Sequence, residues 1–173
     1  VDVGVNGVGD VQSSDRCSYK RVSKAADGVV GDLTTASAMS PDAFAAAVQA
    51  GIDAVDRASN ARVLILGELG IGNTTVAASI CAHFLDVDAA RLVGRGTGVD
   101  DSGLARKVGV VESALQAVSA STPEQAIQQI GGRDIAALFG AIGRAAEKRV
   151  AVVIDGYVVA AAALALVRAY PDA

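Results

Sequence analysis

Two short aliphatic runs constrain the fold of this chain more than any other feature. Ala61-Arg62-Val63-Leu64-Ile65-Leu66 stops at Gly67, and Val150-Ala151-Val152-Val153-Ile154 stops at Asp155-Gly156. Each is short for a helix, aliphatic throughout its centre and bounded by a turn signal, so each reads as a buried parallel strand. A helical pattern follows each run, from about Asn73 to Leu85 after the first and to about Tyr170 after the second. Parallel strands need crossover connections. Helices predicted over Ser102 to Val118, Pro123 to about Ile130 and Gly132 to Lys148 supply them. Upstream, Ser40-Pro41-Asp42-Ala43 carries a hydroxyl cap, a proline at the first helical position and an acid in the first turn. These open a helix to about Ser59, with Phe44, Val48, Ile52 and Val55 as its buried stripe. Strands alternating with helices predict an α/β fold with a doubly wound parallel sheet flanked by helices.

Composition sets the outer bounds. A chain of 173 residues, 51% of them hydrophobic, suits one domain over 1–173 with a real core. Aromatic residues make up only 3%, so Val, Ile, Leu and Ala must build that core. A formal charge of -4 argues against a general nucleic-acid binder, which shows a basic face. A mean hydropathy of +0.40 excludes a disordered chain. The nearly apolar stretch from Ala151 to Val167 is split by Asp155 and Gly156, and neither piece reaches the roughly 20 residues of a membrane-spanning helix. Two cysteines, Cys17 and Cys81, make no disulfide framework and fit a reduced cytoplasmic setting. The chain opens at Val1 without a methionine, as though entered in mid-strand, and residues 6–40 read as mostly loop, with an extended piece near Val29 and Val30.

The richest chemistry lies in Gly67-Glu68-Leu69-Gly70-Ile71-Gly72-Asn73-Thr74-Thr75, between a strand and a helix. Glycines let the backbone turn and approach a ligand, and the opening amides of the helix favour an anion. The spacing nearly matches a P-loop, but Asn73 stands where the phosphate-reaching lysine belongs, which disfavours an NTPase. A second glycine-rich loop, Gly94-Arg95-Gly96-Thr97-Gly98, also precedes a helix, and its amides and guanidinium suit a second anion contact. The carboxyl ends of strands line one crevice in open α/β sheets, so both loops can face one ligand. Glu68 suits a hydroxyl or a cationic ring beside the phosphate, or is a solvated loop acid. Asp155 is either a strand-end site acid or a helix cap. Asp100 and Asp101 read as caps rather than metal ligands, and no metal or cofactor is expected. Lys107, taken alone, is a surface lysine, and His83 a surface or core histidine with no nucleophile system around it. Cys81 reads as a small buried apolar side chain, and Cys17 sits near Arg16 and Lys20 in a polar loop.

These motifs resemble a known family. GELGIGNTT (67–75), VGRGTGVDDSGLARK (93–107), GGRDIAALFGAI (131–142) and VVIDGYVVAAAALAL (152–166), with VDVGV at the start, are similar to nicotinate-nucleotide–dimethylbenzimidazole phosphoribosyltransferases. The resemblance covers nearly the whole chain. It implies a Rossmann-like sheet, usually in a homodimer, and transfer of phosphoribose from nicotinate mononucleotide to 5,6-dimethylbenzimidazole. The products are α-ribazole 5′-phosphate and nicotinate, a step of cobalamin synthesis. It implies that Gly70, Gly72, Asn73 and Thr74 contact phosphate and ribose, with Gly94, Gly96 and Thr97 as counterparts from the second loop. Glu68 matches the family's acid near the nucleotide, and Lys107 its site lysine, which replaces the surface reading. The family's chains are roughly twice this length and carry a proposed catalytic Glu in a Gly-Glu-Gly-type motif, which this sequence does not contain. The resemblance therefore implies a partial family domain holding the nucleotide half of the site. The alternative is a non-catalytic nucleotide- or phosphate-binding domain.

Overall fold

The computed structural model of the chain describes Val3, Ser13 and residues 31–35, 37–96 and 98–172. The extended piece predicted near Val29, the rest of the opening run around Val3, and Cys17 lie outside the described residues. In order, the elements are α1 (Pro41–Arg57), β1 (Val63–Leu66), α2 (Asn73–Leu85), α3 (Ala89–Leu92), α4 (Asp101–Ala117), α5 (Pro123–Ile130), α6 (Arg133–Glu147), β2 (Ala151–Ile154) and α7 (Tyr157–Ala169). The fold is α/β. Among the described residues, β1 and β2 form a parallel pair in the register Val63↔Ala151 to Leu66↔Ile154.

Local chemistry accounts for the helix starts. Ser40 accepts from the Ala43 amide at 3.2 Å ahead of Pro41. Asp100 accepts from Gly103 N at 2.8 Å, and Thr122 from Gln125 N at 3.2 Å. Each satisfies an amide that the helix itself leaves unpaired. Short α3 was not anticipated; four residues are too few to show a period.

The core is aliphatic, as composition required. Ile80, Ile127, Ile130, Ile135 and Val159 are fully buried, drawn from α2, α5, α6 and α7. Two expectations are corrected. The buried face of α1 is Ala47, Ala50, Gly51 and Val55, whereas Phe44, Val48 and Ile52 are only half-buried. The cause is the close approach of α6: a Cβ on Gly51 would lie 1.8 Å from the Ala137 carbonyl oxygen, and one on Gly140 would lie 2.2 Å from that of Val48. Backbones this near admit only small residues between them. The strands, second, are buried on one face. Leu64, Leu66 and Val152 pack on Val55, Ala141 and Ala145, while Val63, Ile65 and Val153 stand exposed on the other face.

Candidate functional site

β1 and β2 run parallel and in register, so both release their chains at the same edge of the sheet. Gly67 leaves β1 there, and Asp155-Gly156 leaves β2. The first loop then reverses into α2 through Gly72, whose φ of +82° is the left-handed conformation that glycine adopts without strain. No side chain caps α2, so its opening amides face the loop mouth, a setting that favours negative charge.

Asn73, the first residue of α2, is the polar anchor of this loop. It is 9% exposed. Its Nδ2 donates to Glu68 Oε2 in a close contact and to Asp134 Oδ2 at 3.1 Å. Two carboxylate acceptors on one side define which end of the amide is nitrogen, since an amide oxygen there would face lone pairs. Gly70 leaves room for this arrangement, because a Cβ on it would fall 2.5 Å from Nδ2. Gly132, the residue before α6, does the same for Asp134: a Cβ there would lie 2.4 Å from Oδ1.

A second cluster joins the two glycine-rich loops. Lys107 Nζ donates to Thr74 Oγ1 at 3.4 Å across 33 residues of sequence. Gly96 lies against both, since a Cβ on it would sit 3.1 Å from Nζ and 3.6 Å from Oγ1. Its φ of +56° also favours glycine. An ammonium, a hydroxyl and the start of α2 thus share one region, with the carboxylates of Glu68 and Asp134 on the neighbouring Asn73.

Of the residues singled out from sequence, Glu68, Gly70 and Asn73 come together around one amide, and Thr74, Gly96 and Lys107 around one ammonium. Gly72 shapes the entry to α2 and faces open space, as does Gly94. Thr97 lies outside the described residues. The Arg95 guanidinium, expected as an anion contact, is engaged within its own loop: it donates to Val99 O at 3.0 Å and pairs closely with Asp101. Asp100 is a cap, as expected, and its carboxyl is held below the ordinary aspartate range by the Gly103 amide and the Ser102 hydroxyl. Asp155 is not a cap, because the cap position of α7 is Gly156 and no side chain bonds to the helix start. His83 stacks edge-on against Phe84 and burial lowers its pKa, in keeping with a structural role. Cys81 is buried and its thiol is pushed up by that burial. Asp134 was not anticipated as a site residue. It lies in the GGRD segment, but nothing in the linear sequence shows that it meets a residue 61 positions earlier.

Fold and loops together define a class: an α/β protein with two converging glycine-rich loops at a helix N-terminus and no P-loop lysine. A family model described as phosphoribosyltransferase matches residues 1–173. Similar proteins named nicotinate-nucleotide–dimethylbenzimidazole phosphoribosyltransferase include one from Bradyrhizobium diazoefficiens, 44% identical over 145 residues, which are 82% of this chain and 41% of that one. Another, from Mesorhizobium japonicum, is 44% identical over 147 residues, 84% of this chain and 43% of its own. A crystal structure of CobT from Thermus thermophilus superposes with a TM-score of 0.86 at 33% identity, covering 99% of this chain and 50% of that chain. The chain belongs to the nicotinate-nucleotide–dimethylbenzimidazole phosphoribosyltransferase family. It spans less than half the length of the two relatives.

Proposed function

We propose that this chain is the nucleotide-holding part of an enzyme that moves phosphoribose from nicotinate mononucleotide to 5,6-dimethylbenzimidazole. The observation that carries this reading is the meeting of Lys107, Thr74 and Gly96 in front of the uncapped start of α2. An ammonium, a hydroxyl and the amides of a helix start that no side chain caps suit a phosphate monoester. Glu68, held on the Asn73 amide, suits the other end of the substrate: ribose hydroxyls and the positive charge of the nicotinate–ribose bond.

In the reaction, the benzimidazole nitrogen forms a bond to the anomeric carbon as the carbon–nitrogen bond to nicotinate breaks. The electron pair leaves with nicotinate, and the benzimidazole N–H gives up its proton. Glu68, Gly70, Gly72, Asn73, Thr74, Gly94, Gly96, Thr97 and Lys107 form the substrate-binding set in this reading. They hold phosphate and ribose so that attack comes in line, which converts a bimolecular step into a positioned one. Glu68 stabilises the positive charge that grows on the sugar as nicotinate departs. Residues 1–173 act as one nucleotide-binding α/β domain, and the reading carries with it a Rossmann-like enzyme acting in the cytoplasm as a homodimer.

The test is turnover. Folded chain, verified by circular dichroism, is incubated with nicotinate mononucleotide and 5,6-dimethylbenzimidazole, and α-ribazole 5′-phosphate is sought by chromatography. Product supports the reading in full and places a proton acceptor within these residues, Glu68 and Asp155 being the first to substitute. Binding of nicotinate mononucleotide without product limits this chain to the nucleotide half of the reaction.

A further inference from the structure

Asn73 is the residue at which two distant parts of the chain are tied together at the loop mouth. An amide nitrogen carries two protons, and here both acceptors facing it are carboxylate oxygens, one from the first loop and one from the start of α6. With Asn73 buried, water cannot replace either partner cheaply. Glu68 by contrast is exposed, on a loop whose Leu69 and Ile71 project fully into solvent. An exposed glutamate on such a loop holds one orientation only if something rigid holds it. Asp134 is the fixed point: it sits in the first turn of α6, a helix packed along the core.

We propose that Asp134 is a positioning residue for the proposed transfer reaction: by accepting from Asn73 Nδ2 it fixes the amide whose other proton aims the Glu68 carboxylate. This rests on the functional reading above and adds to it a residue from a third segment of the chain. Two glycines are shaped around this clamp. Gly70 clears Asn73 Nδ2 itself, and Gly132 clears Asp134 Oδ1, the carboxylate oxygen beside the one that accepts from Asn73, so a side chain at either position would crowd the clamp. An acid in the first turn of α6 also helps that helix through its dipole. The clamp requires an acceptor oxygen; the dipole requires a charge. Asparagine keeps the first and lacks the second, which separates the two roles.

The experiment compares wild type, Asp134→Ala, Asp134→Asn, Asn73→Ala and the Asn73→Ala/Asp134→Ala double variant. Nicotinate mononucleotide affinity is read by calorimetry, and the Asn73 side-chain amide by nuclear magnetic resonance. Asp134→Ala is expected to weaken binding about tenfold, the loss of one hydrogen bond to a charged group. It should also shift the Asn73 amide protons and speed their exchange. Asp134→Asn should restore most of both. In the Asn73→Ala background, Asp134→Ala should cost nothing further, since the two act as one unit. Additive losses, or equal losses for Asp134→Ala and Asp134→Asn, overturn the proposal in favour of a helix-start role. Should Asn73→Ala fail to fold, the alanine–asparagine comparison at 134 decides alone. A wild-type chain that binds no nicotinate mononucleotide overturns the functional reading, and the Asn73 amide resonances then decide the clamp independently.

Discussion

Lys107 lies in the second turn of α4, where a lysine is ordinarily solvated, yet its ammonium ends beside the Thr74 hydroxyl at the start of α2. Gly96 lies close beside it, since a Cβ there would sit 3.1 Å from Nζ. If this ammonium holds the phosphate, its removal should hurt a phosphorylated ligand selectively. Lys107→Met is expected to lower affinity for nicotinate mononucleotide about ten- to hundredfold, the usual range for a charged hydrogen bond. Affinity for the dephosphorylated nucleoside should hardly change, and calorimetry with both ligands gives the ratio. Equal losses for the two would show that Lys107 supports the loop rather than the phosphate. At this scale, glycine-rich spacing was enough to single out Gly70, Asn73 and Thr74, because strand–glycine–helix geometry is local. Asp134 was invisible, since its partner is chosen by the packing of α6.

Among the elements, the crossing of α1 and α6 shows how a pattern of large residues misleads. Phe44, Val48, Ile52 and Val55 recur at helical spacing, but the face turned to α6 is the smaller one, Ala47, Ala50, Gly51 and Val55. Gly51 and Gly140 let the two backbones touch, and a methyl at either meets a carbonyl group rather than a side chain that can swing away. Gly140→Ala is therefore expected to destabilise the chain by about 1–3 kcal/mol or more, as overpacking does. Gly109→Ala on α4 meets nothing within 4 Å and should stabilise by about 0.5–1 kcal/mol through helix propensity. Thermal denaturation of the two variants should thus move in opposite directions. A fall in both would mean that Gly109 also serves a contact.

For the whole molecule, the two-stranded sheet is covered on one side by α1 and α6 residues and leaves Val63, Ile65 and Val153 exposed. Aliphatic runs of this kind normally belong to strands buried on both faces. Ile65 is 76% exposed, so Ile65→Lys should change unfolding free energy by no more than about 0.5 kcal/mol. Denaturant titration reads this directly. A large loss would show that the outer face is covered in solution. No helix among the described residues is long and apolar enough to cross a membrane, and α7 instead spends its apolar character on the core through Val158, Val159, Ala162 and Leu166.

Helix starts, strand cores and the first glycine-rich loop were legible in the amino-acid order because each depends on neighbours a few residues apart. Pro41 and Ser40, Asn73 at the head of α2, and the aliphatic core are of this kind. Tertiary structure alone decided which face of α1 is buried and that one side of β1 and β2 stays open. It alone brought Lys107 to Thr74 and Asp134 to Asn73. The reason is physical: local hydrogen bonds and backbone preferences are written at short spacing. Contacts across 33 or 61 residues exist only once helices have packed and set the distances between their ends.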